Sequence, residues 1–236
     1  MSPLNHELVM KAGRSLGENI MKAMILAAGR GTRLAPLTDH TPKPMLAVKG
    51  KPLIEWQIRA LAQAGIRDLV INLHHLGEQI ESHLGSGHEL GVSIAYSHES
   101  ALLETGGGIK HALPLLGDDP FAILNGDIWT DFNFARLPAQ PDNQAPAQIV
   151  VTPTPKWRDH GDFEYDDGLV TARGTHYVYC GIAVLRPELL YDQPDGPFSL
   201  RDTYFSLLSQ GRLRASLFEG TWVDIGTAEQ YNALNT

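Results

Sequence analysis

Residues 23–34 read Ala-Met-Ile-Leu-Ala-Ala-Gly-Arg-Gly-Thr-Arg-Leu: six apolar residues that run straight into a turn holding two glycines. A run this short, apolar at every position, suits a strand buried on both faces of a sheet. The glycines that follow let the backbone turn sharply. Working outward, the same alternation recurs. Residues 52–64 read as a helix, with Pro52 near its start and Gly65 just past its end. Residues 68–73 form a second apolar strand, 76–84 a helix, 92–98 a third strand, 107–116 a helix and 121–125 a fourth strand. Strand and helix in turn require right-handed crossovers and a parallel sheet covered by helices on both faces.

Beyond Asp127 the pattern loosens. Pro138, Pro141 and Pro146 mark a loop, and the segments that follow lie closer together. Strands are expected at 148–152, 164–165, 177–185 and 215–218, with helices near 187–191, 200–208 and 228–234. The roughly 90 residues after the loop alternate too irregularly to promise a core of their own. The chain therefore reads as one α/β domain with a Rossmann-like mixed, mostly parallel sheet flanked by helices and a smaller second lobe folded onto it.

Composition narrows the function. With 236 residues, 43% of them hydrophobic, one sizeable core is affordable. No apolar run exceeds the six residues 23–28, against the roughly 20 needed to span a bilayer. Cys180 is the single cysteine, so no internal disulfide forms and a reducing, cytoplasmic setting is expected. Residues 1–20 lack the apolar core of a secretory signal and read as an extension or a cloning remnant, leaving 21–236 as the catalytic domain. A net charge of −8 repels nucleic acid and acidic membranes. Yet residues 22–59 carry +5, from seven basic side chains against Asp39 and Glu55, which leaves −13 for residues 60–236. Either solvated charges cluster there by accident or one local anion site sits in an acidic protein. The sequence is silent on oligomeric state.

The glycine turn sits inside that basic stretch. Successive N–H groups in such a turn cradle phosphate oxygens. A dinucleotide fingerprint would need glycine where Leu34 stands, and the Gly-Lys-Ser/Thr ending of a P-loop is absent. What remains is Arg30, Arg33 and, between Pro42 and Pro44, Lys43: three cations able to converge on one anion. The competing reading is a plain tight turn with ordinary surface charges. Asp127 follows the fourth strand, where ligands gather at carboxyl ends, and Asp224 lies among apolar residues in Trp222-Val223-Asp224-Ile225-Gly226. Both could hold a divalent metal on a nucleotide triphosphate, or each could cap a turn or helix. No Ser-His-Asp or Cys-His arrangement stands out, and the ten histidines show no metal-ligand spacing.

Residues 29–45, Gly-Arg-Gly-Thr-Arg-Leu-Ala-Pro-Leu-Thr through Pro42-Lys43-Pro44-Met45, match the signature GxGTRLxPLTxxxPKPM without a gap. With Asn125-Gly126-Asp127 and Trp-Val-Asp-Ile-Gly at 222–226, the chain resembles the sugar-1-phosphate nucleotidylyltransferases over essentially all of residues 22–235. The resemblance implies a GT-A-like fold whose second lobe binds sugar. It implies a triphosphate held by Ala28, Gly29, Arg30, Gly31 and Thr32, with Gly107 and Asn125 also on the nucleotide. Arg33, Lys43 and Asp127 would be catalytic, and Asp127 with Asp224 would bind Mg2+. Glu164, Gly181 and Lys156 are the sugar-side candidates. Many relatives follow that glutamate with a lysine, but here it is Tyr165, so Lys156, an arginine such as Arg201, or a second metal would neutralise the acceptor phosphate. The hexapeptide-repeat tail of some relatives is absent, and no acyltransferase activity is expected.

Within the family, residues 102–113, 122–132 and 179–190 are most similar to bacterial uridylyltransferases that act on N-acetylmuramic acid 1-phosphate in cell-wall recycling. The implied substrates are UTP and that sugar phosphate. Guanylyl transfer to mannose 1-phosphate is the alternative within the class, and a non-catalytic nucleotide-sugar sensor the alternative outside it.

Overall fold

The computed structural model describes residues 21–236, so the reading of residues 1–20 lies outside the described residues. Strand β1 (Ala23–Leu26) leads into the glycine turn, and single-turn helices follow at Thr32–Leu34 and Lys43–Met45. A small hairpin, β2 (Ala47–Val48) and β3 (Lys51–Pro52), delivers the chain to helix α1 (Leu53–Gln63). Next come β4 (Asp68–Leu73), α2 (Gly77–Leu84), β5 (Ser93–His98), α3 (Glu104–Leu116), β6 (Phe121–Asn125) and the short β7 (Ile128–Thr130). The second half holds β8 (Ala147–Pro153), β9 (Phe163–Asp166), β10 (Leu169–Arg173), β11 (Tyr177–Leu185), α4 (Leu200–Ser209), β12 (Leu213–Leu217), β13 (Trp222–Asp224) and α5 (Ala228–Asn235).

Nine strands make one sheet in the order β5-β4-β1-β6-β11-β8-β12-β10-β9. The amino-terminal four run parallel, as alternating strands and helices require. Strand β11 then pairs antiparallel with both β6 and β8, so the second half continues the first sheet rather than starting another. The central strands β1, β4 and β6 are apolar on both sides because helices cover both. Ile25, Ile71 and Leu124 face α1 and α2, where Ile54, Ile58 and Ile80 meet them. Met24, Val70 and Ile123 face the opposite layer with Ile109 of α3 and Tyr204 of α4. Burying a side chain of this size stabilises by about 1.5–3 kcal/mol, which is why runs such as AMIL need no polar face.

Strand β10 and the β2–β3 hairpin were not expected, the helix expected near 187–191 is a single turn at Pro187–Leu190, and two further departures bear on the site. Helix α3 begins at Glu104, so Gly106, Gly107 and Gly108 lie inside the helix rather than ahead of it. Close packing explains them: a Cβ on Gly107 would stand 2.2 Å from the carbonyl oxygen of Gly196, and one on Gly106 the same distance from the Phe198 ring. The other departure is a separate two-stranded ladder between β7 and β13, which pairs Asp224 with Ile128. Three-residue strands carry no readable period, so nothing in the sequence announced it.

The Gly107 contact is backbone to backbone and cannot relax by a side-chain rotation. Gly107→Ala should therefore lower unfolding stability by about 1–3 kcal/mol in urea titration, and an unchanged midpoint would refute the packing role.

Candidate active site

A cleft of about 450 Å3 opens at the carboxyl ends of β1 and β6. Its floor is the glycine turn. Gly31 adopts φ +62°, and a Cβ there would press on Thr38 at 3.0 Å, so the position needs glycine. The Thr38 hydroxyl donates to Gly31 O at 2.9 Å and fixes the turn. Leu34 anchors it from beneath, packed with Leu46, Leu53 and Ile225. Ala28, Gly29, Gly31, Thr32 and Arg33 all line the cleft, whereas Arg30 is exposed and lies off its wall. At Gly29 a Cβ would touch nothing within 4 Å. That bare backbone gives an approaching phosphate close access to the peptide N–H groups.

Behind the turn a relay of side chains sets its position. Ala27 N–H donates to Asn72 Oδ1 at 2.8 Å, Asn72 Nδ2 donates to Glu99 Oε1 at 2.7 Å, and Leu103 N–H donates to Glu99 Oε2 at 3.1 Å. The buried Asn72–Glu99 pair thus joins the end of β1 to the segment that opens α3. Satisfied polar networks of this kind rigidify a site. Glu104 sits at that opening with φ +59° and lines the cleft with Thr105. Gly107 does not line it: its N–H donates to Phe198 O at 3.2 Å, and its α-carbon is packed under Gly196.

The two aspartates meet here. Because β7 pairs with β13 and Ile225 N–H donates to Asp127 O at 2.9 Å, residues 97 positions apart in sequence become neighbours. Gln57 of α1 secures the turn between β6 and β7, its Nε2 donating to Asn125 O and Ile128 O at 2.9 Å each. Lys43 Nζ lies 2.6 Å from Asp127 Oδ2, with its side chain only 10% exposed. Burial pushes the Asp224 carboxyl up, the Asp127 carboxylate pushes it further, and Lys43, Arg33 and Arg158 pull it back down. Asp224 Oδ1 is buried with no protein partner. A buried carboxylate oxygen with an open valence beside a second carboxylate is a place for a cation.

The donor set suits magnesium. Among the described residues no group of three or more His, Cys, Asp or Glu could cage an ion. Mg2+ favours one or two carboxylates and takes its remaining ligands from water and substrate phosphates. Asp127 on the cleft wall, with Asp224 beside it, offers two carboxylates of that kind.

A second cavity of about 290 Å3 adjoins the first, the two sharing Thr105, Asn125 and Ser199 as walls. The sugar-side residues expected from sequence are not in it. Glu164 is committed elsewhere: Thr175 N–H donates to it at 2.9 Å and His176 Nδ1 bonds its other oxygen, which together hold its carboxyl below the usual range. Lys156 is exposed on the preceding loop. Gly181, at φ +73°, lies against the Asn125 side chain, which a Cβ would meet at 2.9 Å. Instead the cavity presents Arg158 and Arg201. Arg201 was a candidate from sequence; Arg158, Asn72, Gln57 and Glu104 carried no motif that marked them.

The comparisons with known proteins follow this geometry. The chain is 43% identical over 216 residues to N-acetylmuramate alpha-1-phosphate uridylyltransferase of Neisseria meningitidis serogroup B, covering 88% of this chain and 94% of that one. It is 37% identical to the protein of the same name in Caulobacter vibrioides, over 86% and 91% of the two chains. It is 31% identical to mannose-1-phosphate guanylyltransferase catalytic subunit beta of Danio rerio, over 89% of this chain but 62% of that one. In fold it superposes on HddC from Yersinia pseudotuberculosis with a TM-score of 0.77 at 24% identity, over 91% and 98% of the chains. The nucleotidyl transferase family model matches residues 22–236, the same span that carries the glycine turn at one end and Asp224 near the other. By that match and by its identity to the uridylyltransferases, the chain belongs to the nucleotidyl transferase family.

Proposed function

We propose that the chain transfers a uridylyl group from UTP to N-acetylmuramic acid 1-phosphate, releasing pyrophosphate, with Mg2+ held by Asp127 and Asp224. The observation that carries the chemistry is the meeting of those two carboxylates with Lys43, Asp127 and Lys43 lining a cleft that the glycine turn floors. The choice of base and sugar is supported by the 43% and 37% identity to enzymes of that name.

The turn from Ala28 to Thr32 cradles the triphosphate with backbone N–H groups. Arg33 and Lys43 stabilise the negative charge that spreads over the phosphates as the α-phosphorus is attacked. When bound, Mg2+ neutralises phosphate charge and orients the triphosphate. A sugar 1-phosphate is largely a dianion near neutral pH, its second pKa being about 6, so no side chain has to remove a proton from it. In keeping with this, neither cavity wall includes a histidine or cysteine among the described residues. The protein's contribution is alignment and electrostatics.

A grid of four nucleoside triphosphates against several sugar 1-phosphates, scored by Mg2+-dependent pyrophosphate release, tests the reading. UTP with N-acetylmuramic acid 1-phosphate should give the highest rate. Preference for GTP with mannose 1-phosphate would replace it, and no release from any pair would point to a sensor. Lys43→Met should cut turnover by about 100-fold or more while far-UV circular dichroism stays native, because it removes a charge aimed at the transition state. Asp224→Asn should separate stability from activity. At pH 7 it removes one of two adjacent carboxylates whose repulsion the unliganded protein must bear, so Tm should rise by about 1–4 °C even as Mg2+-dependent turnover is lost. A lower Tm would show that the Asp224 charge is already compensated.

A further inference from the structure

Two arginines in the cavity beyond Asn125 are held in different ways. Arg158 is fixed on every side. Its Nη2 donates to Asp162 Oδ1 at 3.1 Å and its Nε to His160 O at 3.0 Å. Its neighbour Trp157 stacks on Trp222 at 5.8 Å between centroids and 18° between planes. Trp222 begins β13, the strand that ends in Asp224, so this stacking sets Arg158 beside the metal acids. The same proximity shows in Arg158 being one of the three cations that act on Asp224. Asp162 gives its second oxygen to Tyr179 N–H at 3.0 Å and is fully occupied.

Arg201 is the opposite case. It is the second residue of α4, whose start is pinned by Leu200 N–H donating to Thr105 Oγ1 at 3.0 Å. Like Arg158, it lines the second cavity and not the first. Among the described residues it is exposed and makes no ion pair or hydrogen bond. The phosphate of an acceptor must approach the α-phosphorus and hence Asp127 and Asp224, where Arg158 waits. Arg201 lines the same cavity from the start of α4, has no protein partner for its charge among the described residues and is not tied to β13 as Arg158 is through Trp157.

We infer that Arg201 reads a second negative charge on the acceptor: it pairs with a carboxylate on the sugar, while Arg158 faces the phosphate that joins it to the nucleotide. The acceptor site thereby selects acidic sugar phosphates over neutral ones. The inference rests on the nucleotidyl-transfer reading of the site and adds the residue that recognises the carboxylate of the proposed sugar.

The test compares N-acetylmuramic acid 1-phosphate with its amide, in which the lactyl carboxylate becomes a carboxamide. Each is measured by calorimetric binding in the presence of Mg2+ and, with UTP, by turnover. In the unsubstituted protein the amide should bind about 10- to 100-fold more weakly than the acid, the range of a hydrogen-bonded charge pair. Arg201→Gln should weaken the acid by a similar factor, expressed in KM rather than kcat, and bind the amide as the unsubstituted protein does. Arg201→Lys should recover part of the loss. Equal loss for acid and amide in Arg201→Gln would overturn the assignment, since the arginine would then serve the phosphate, and no loss for either would reduce it to a solvated surface charge. Binding of the acid without pyrophosphate release from UTP would instead defeat the nucleotidyl-transfer reading, leaving the charge assignment to be judged on the affinities alone.

Discussion

The contact of Lys43 Nζ with Asp127 at 2.6 Å, beside the orphaned oxygen of Asp224, is the constraint around which the rest is arranged. Two carboxylates this close repel, and one of them is buried. A single lysine answers only part of that charge. The balance of charge around Asp224 is therefore left open on the protein side, which is the feature that the proposed divalent ion would answer. Holding such an arrangement requires that neither acid can swing away, which is why both are gripped through the backbone: Ile225 N–H bonds Asp127 O, and Gln57 bonds the carbonyls on either side of Gly126-Asp127.

The nine-stranded sheet supplies the rigidity that this strain needs. Helices on both faces bury β1, β4 and β6 on two sides, so the strand ends that carry the glycine turn, Asn72 and Asn125 have fixed positions. Local strain persists only where surrounding packing over-determines it. Glu104, a non-glycine residue at φ +59° on the cleft wall, is such a place. After Thr105 come the three glycines, whose close packing on Phe198, Gly196 and Glu99 leaves the helix start no freedom to relax.

How much of this was legible depended on whether the signal was local. The strand-turn unit at residues 23–34, the parallel half of the sheet and the two aspartates could be read because each is a contiguous pattern. Strand bounds at 68–73, 121–125 and 177–185 agree with the sequence reading to the residue. The β7–β13 ladder was invisible, since it joins two three-residue strands over 90 positions apart, yet it alone explains why the aspartates meet. At Glu164 the sequence showed the residue type and the strand but not the partners: Thr175 and His176 lie within reach of its carboxylate and bond it. Gly107 packs beneath Gly196 in a way the sequence did not show, because glycines that permit close packing and glycines that expose backbone to a ligand look alike in a sequence.

Strand β13 connects the two halves of the site. Its first residue, Trp222, donates its indole N–H to Cys180 O in β11 and offers its face to Trp157, and its last residue is Asp224. The loop that carries Arg158 is thus seated on the same three-residue strand that carries Asp224. A displacement of that strand would shift the arginine and the carboxylate together, so their relative geometry survives motions that would misalign groups on separate elements. The anchor is aromatic stacking rather than another ion pair, and that suits the location: a neutral platform worth about 0.5–1.5 kcal/mol beyond its buried area fixes the loop without adding charge to a pocket whose balance is already set by two acids and their cations.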